Sequence, residues 1–174
     1  MEFNVRQAVI DRLRATKRAN IGAVIEYMDR HGFFTRHCHH HHRYRGGLAH
    51  HAWQTYQIAK TSAPSFLDDD SIAIASLFHD FCNCSGMRHL GGHGRRSAMM
   101  LKELGFTLTR EEYLAIRFHM SLRNKQEHRL YSDALHSPLR NLTHKADGVS
   151  AGLRNGYDAP FEFRQGDSNR VPRF

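Results

Sequence analysis

Six residues stand out as a potential metal-binding set: His51, His79, Asp80, His93, His119 and Asp147. The chain carries 15 histidines in 174 residues, several of them in apolar-rich helical surroundings and not only in the run His39 to His42. His79 and Asp80 close the strongly apolar segment SIAIASLFHDF, where a carboxylate is costly to bury unless a cation or a donor compensates it. A metal ion would do so. Imidazole and carboxylate together suit one or two divalent first-row ions: iron, manganese, nickel, cobalt or zinc. The lack of a well-spaced thiolate set argues against a structural zinc knuckle. A lone histidine on a helix is most often a hydrogen-bonded core or surface residue. Here, however, five separate helices each bring such a group to an inward face or a helix end, and chance explains five less readily than one.

The apolar spacing predicts the helices that must position these groups. Residues 3–16 and 20–31 read as amphipathic helices, the second carrying Ile21, Val24, Ile25 and Met28 and stopping at Gly32. A polar, histidine-rich loop follows as far as Gly46-Gly47. Leu48, His51, Ala52, Thr55 and Ala59 share one stripe of a helix over 48–62, closed off by Pro64. Asp69 or Asp70 caps the next helix, which is apolar nearly all round and is therefore expected at the centre. After a flexible turn over Gly86 to Gly94, His93, Ser97, Met100 and Leu104 align on a helix ending at Gly105. Thr109 and Glu112 form a capping box for a helix on which Ala115, Ile116 and His119 share a face. A short helix over 128–135 comes next. Ser137-Pro138 then starts a last helix whose inward stripe is Leu142, Ala146, Val149 and Leu153, with Asp147 beside it.

No strand pair is evident, so the expected fold is all-α: one compact helical bundle over 1–174, with an irregular tail over 155–174. The N-terminus mixes charge with apolar residues, and no stretch reaches the roughly 18 apolar residues of a membrane span, so a cytoplasmic protein free of membranes is expected. Cys38, Cys82 and Cys84 make an odd count that suits a reducing compartment. Cys82 and Cys84 read as buried small apolar groups, and Trp53 and Phe78 as core. A net charge of +8 implies attraction to anionic ligands. The basic residues are scattered and form no tail, which favours a phosphate-bearing small molecule or oligonucleotide over a long nucleic acid.

The order His51, His79-Asp80, Asp147 resembles the HD superfamily of metal-dependent phosphohydrolases. The resemblance is carried by Gly46-Gly47-Leu48-Ala49-His50-His51, Ser76-Leu77-Phe78-His79-Asp80, Ile116-Arg117-Phe118-His119 and Lys145-Ala146-Asp147, and it covers about 20–154. The approach HHHHRYRGGLAHH is most similar to the subgroup that includes 3′-to-5′ exoribonucleases and relaxase-associated HD domains. The resemblance implies His51, His79, Asp80 and Asp147 as minimal ligands. His93 and His119 match the added histidines of members with two metals, with Asp80 bridging and His79 and Asp80 central to catalysis.

Many members place a lysine where this chain has Asn83. The phosphate contact made by that lysine is then either lost or supplied by Arg88, Arg95, Arg96 or Lys145. His39 to His42 read first as a solvated loop beside the site mouth, although His41 and His42 match a His-His pair of the subgroup and are candidates for touching a substrate phosphate. His89 is an alternative to His93. The expected activity is hydrolysis of a phosphomonoester or phosphodiester by a metal-activated water. Two alternatives are a non-catalytic metal- or nucleotide-binding regulatory module and a di-iron oxygenase similar to inositol oxygenase.

Overall fold

In the computed structural model, residues 3–85, 92–120 and 127–153 are described, and among them the chain is all helical. The helices are α1 (Val5–Ala15), α2 (Ile21–His31), α3 (Gly47–Ser62), α4 (Asp69–Phe78), α5 (His93–Glu103), α6 (Arg110–Arg117), α7 (His128–Leu135) and α8 (Pro138–Gly152), with a 3-10 turn at Phe81–Ser85. The expected tail over 155–174, and Arg88 and His89, lie outside the described residues. Among the described residues, no helix is long and apolar enough to cross a membrane.

The helix α4 is the centre of the bundle because it is apolar on every side: each residue from Ile72 to Phe78 is buried, against α3, α6 and α8. Its cap is Asp68, one residue earlier than expected, whose side chain accepts from the Ser71 amide at 2.8 Å. That leaves Asp69 and Asp70 in the first turn, where their charge suits the helix dipole and meets Arg12 of α1. The helix ends at Phe78, so His79 and Asp80 emerge at its buried C-terminal end.

The capping box of α6 does more than start a helix. Thr109 Oγ1 accepts from the Glu112 amide at 3.2 Å, and the Glu112 carboxylate accepts from the Thr109 amide at 2.8 Å. The same carboxylate is fully buried and also accepts from Arg18, at 2.7 and 3.0 Å, and from Ser71 Oγ at 2.9 Å. One side chain thus ties α6 to α4 and to the turn between α1 and α2. Removing one partner of a buried pair of this kind costs about 3–5 kcal/mol, because the other charge is left uncompensated.

Glycine sets one close approach near the site. A Cβ on Gly94 would stand 2.4 Å from the Ile116 carbonyl oxygen and 2.6 Å from that of Arg117. Only glycine lets the first turn of α5 lie against the end of α6, and this contact brings His93 towards His119.

Candidate metal centre

The ligand candidates sit on helix faces together with the groups that orient them. Gln54 follows His51 by three residues on α3, and Ser150 follows Asp147 by three on α8; α3 packs against α8. Ser150 Oγ donates to Gln54 Oε1 at 2.7 Å, so it can only accept from His51 Nδ1, 3.0 Å away. This leaves His51 Nε2 with a bare lone pair. His79 donates from Nδ1 to the Ser76 carbonyl at 2.7 Å, which bares its Nε2 too. The two bare nitrogens face each other at 3.0 Å. Asp147 Oδ1 joins them at 3.1 Å from His51 Nε2 and 3.7 Å from His79 Nε2.

With both imidazoles neutral in these tautomers, three lone-pair atoms converge with no N–H or O–H among them, an arrangement that a shared proton or a metal ion relieves. Two nitrogens each about 2.0–2.1 Å from one ion, at octahedral or tetrahedral angles, stand about 2.9–3.4 Å apart, and the observed His51–His79 separation falls in that range. His51, His79 and Asp147 can hold a metal ion.

A second triad lies alongside: Asp80, His93 and His119, with ligand atoms all within 4.8 Å of one another. His119, two residues past α6, donates from Nδ1 to the Ile116 carbonyl at 2.8 Å, so its Nε2 is bare. That nitrogen is 3.6 Å from Asp80 Oδ1, too far for a hydrogen bond. Asp80 Oδ1 is buried and has no hydrogen-bond partner, the kind of orphaned acceptor that a cation satisfies. The other oxygen, Oδ2, is 3.9 Å from His79 Nε2. Asp80 thus stands between the triads with one oxygen towards each. The rings of His93 and His119 are inclined at 27° to each other, with centroids 5.9 Å apart. The turn beyond Asp80 is pinned to α5 by Cys82, whose amide donates to Ser97 Oγ at 3.1 Å.

The protonation states of His79 and the two aspartates suit a cation, whereas His119 would have to give up a proton held by its carboxylate neighbours. Burial pushes His79 down to about 4, against the raising pull of Asp80 and Asp147. Burial also lowers His41 to about 4 and His42 to about 3, with His51 adding to both shifts. Burial would raise the two aspartates, but the surrounding histidines outweigh it: His79, His119 and His93 hold Asp80 well below the carboxylate range, and His51, His79 and His119 do so for Asp147. Burial opposes charge on His119, yet Asp80 and Asp147 raise it above the usual imidazole value. Ionised carboxylates and a neutral His79 are ready to bind without first losing a proton.

All six ligand candidates therefore fall into the two triads. The flanking loop differs from the solvated strip expected of it. His39 and His40 are exposed, but His41 is half-buried and His42 is 9 % exposed, with ring centroids 4.3 and 5.2 Å from that of His51. The reason is Gly47, where a Cβ would meet the His42 carbonyl oxygen at 1.9 Å; its absence lets the loop fold down onto α3. Arg95 is exposed and Arg96 half-buried, 3.3 Å from Glu103, both on the first turn of α5 after His93. Lys145 is exposed on α8, about 200° around the helix from Asp147. None of these three cations is part of a triad. Cys82, Cys84 and Phe78 are core as expected, and Trp53 is half-buried against it.

Gln54 and Ser150 escaped notice in the sequence. Their spacing of three from His51 and Asp147 was the available signal, but small polar residues at that offset are common on helices. A cleft lined by Phe3, Arg6, Phe34, Arg45 and His50 opens elsewhere and touches none of the six ligand candidates. Donor chemistry, not concavity, locates the centre. Comparisons with family models, curated proteins and solved structures return no match to this chain.

Proposed function

We propose that this chain is a metal-dependent phosphohydrolase of the HD type, with His51, His79, Asp80 and Asp147 as its principal ligands and His93 and His119 completing a second position. The observation that carries the reading is Asp80, whose two oxygens are turned to different triads while Oδ1 has no donor of its own. A carboxylate so placed supports two ions drawn from iron, manganese, nickel, cobalt and zinc, with Asp80 between them. Such ions, when bound, lower the pKa of a shared water and neutralise the charge that grows on phosphoryl oxygens.

The chain's own residues supply orientation. Ser150, the Ser76 carbonyl and the Ile116 carbonyl hold three imidazoles in the ligating tautomer. With Asn83 in place of a lysine, Arg95 and Arg96, two and three residues after His93, take the substrate phosphate; Lys145 is also two residues from a ligand but lies about 200° around α8 from Asp147, and is the less favoured candidate. The net charge of +8 favours an anionic substrate, a nucleotide or short oligonucleotide bearing a phosphomonoester or phosphodiester, over a neutral sugar, in a cytoplasmic setting.

The test uses protein purified without a nickel column and reloaded with manganese or iron. It is offered nucleotides, cyclic dinucleotides, oligonucleotides and generic phosphoesters. Hydrolysis of at least one class is expected, and Asp80→Ala abolishes it. If the loaded wild type turns over none of them yet binds one tightly, a metal- or nucleotide-binding regulatory module replaces the enzyme.

A further inference from the structure

His51 belongs to a third group of converging ligands that the reading above does not use: the ligand atoms of His41, His42 and His51 also lie within 4.8 Å of one another. The loop that carries the first two is built in detail. His42 adopts a φ of +45°, a left-handed conformation that is costly for a residue with a Cβ. Its carbonyl accepts from the Cys38 amide at 3.4 Å and nests over Gly47. Its Nε2 lies 3.1 Å from Gln54 Oε1, an atom that only accepts, so Nε2 carries the proton and Nδ1 is bare. The bare Nδ1 faces His41 Nδ1 at 3.0 Å, close enough for His41 to donate to it, and this is also the spacing of two ligands on one ion, which would take the place of that proton.

We propose that His41, His42 and His51 form an outer cation position at the mouth of the centre, and that an ion bound there competes with the inner triad for His51. The competition follows from valence: a neutral imidazole offers one free lone pair, so His51 serves one cation at a time. The two positions also differ in chemistry. The inner triad includes the carboxylate of Asp147, whereas the outer is all imidazole and therefore selects zinc, nickel or copper over manganese or magnesium. Manganese fills the inner triad and leaves the outer one alone; zinc in excess occupies the outer position and withdraws His51. The inference rests on the inner triad being a metal site, but not on the chain being a hydrolase.

Zinc is the probe, added stepwise to the full chain while long-range nitrogen–proton NMR reports the state of each imidazole ring nitrogen. The first equivalents are expected to shift His51 and His79. Excess zinc then shifts His41 and His42 and moves His51 a second time, while His79 stays in place. His41→Ala, a half-buried site that tolerates truncation, removes the late step and spares the early one. His42→Asn, which keeps a side chain tolerant of positive φ, does the same. Rings of His41 and His42 that stay unchanged through excess zinc overturn the outer position, as does a shift that coincides with the first equivalent. Failure of His51 and His79 to shift at all overturns the inner metal centre instead, so the two readings fail separately.

Discussion

His51 and His79 point bare nitrogen lone pairs at each other across 3.0 Å, from two helices that share no local sequence. Each ring is locked this way by its far nitrogen, His51 by Ser150 and His79 by the Ser76 carbonyl. With Asp147 as the third lone-pair donor, the bundle holds a repulsive arrangement that a cation would relieve, so a metal ion bound there is expected to stabilise the fold.

Ser150 is the first place to test that coupling. Ser150→Ala removes the acceptor of the His51 N–H and frees the ring to choose the other tautomer. Metal affinity, read by competition with a chelating dye, is expected to fall about 10–100-fold. The fold survives, since a lost buried hydrogen bond costs about 1–3 kcal/mol. Unaltered affinity would mean that the tautomer of His51 is set elsewhere.

His93 and His119 separate two ions from one. His93→Ala and His119→Ala are each expected to halve metal content, from two ions per chain to one, by elemental analysis of protein with a normal helical circular dichroism spectrum. If both variants retain the wild-type stoichiometry, the centre is mononuclear and the second triad serves only packing.

Gly94 tests how α5 positions His93. A methyl group there would clash with two backbone carbonyls, at 2.4 and 2.6 Å, and backbone cannot rotate away as a side chain can. Gly94→Ala is expected to destabilise by at least about 1–3 kcal/mol and to lose the ion of the second triad before that of the first. Gly148→Ala on α8 is the control: its Cβ would have nothing within 4 Å, and alanine gains about 0.5–1 kcal/mol in a helix interior. A similar melting temperature for both variants would contradict the close approach.

Acid is expected to destabilise the metal-free protein. In the fold, burial holds His79, His41 and His42 at about 4, 4 and 3, below the ordinary imidazole value of 6.5. Between 6.5 and about 4 the unfolded chain binds protons that the folded chain refuses, so stability falls as pH drops through this window. Below it, Asp80 and Asp147, which resist protonation in the fold, add to the loss. The raised His119 acts in the opposite direction but is a single group. Melting temperature measured at pH 7.5 and pH 5 checks the sign; a higher value at pH 5 would refute it.

The amino-acid sequence alone determined the helices and most of the ligand candidates. Local rules suffice for that: the Thr109–Glu112 box, the Ser137-Pro138 start and the positive-φ glycine after Met28 and His31 act within a few residues, and the periodic apolar stripes place His51 and Ala146 on inward faces whatever the neighbours are. Tertiary structure decided what the ligands do together. Which atoms of His51, His79 and Asp147 meet, and that Asp80 divides its oxygens between two triads, depend on contacts between segments tens of residues apart, while the folding of His41 and His42 onto His51 depends on a loop closing on its own following helix. Those contacts turn on details with no periodic signature: the missing Cβ at Gly47 and Gly94, and the direction of one hydroxyl proton on Ser150. A lone pair has a direction only after the fold has fixed the opposite side of the ring, so the donor set was legible in the chain while its geometry was not.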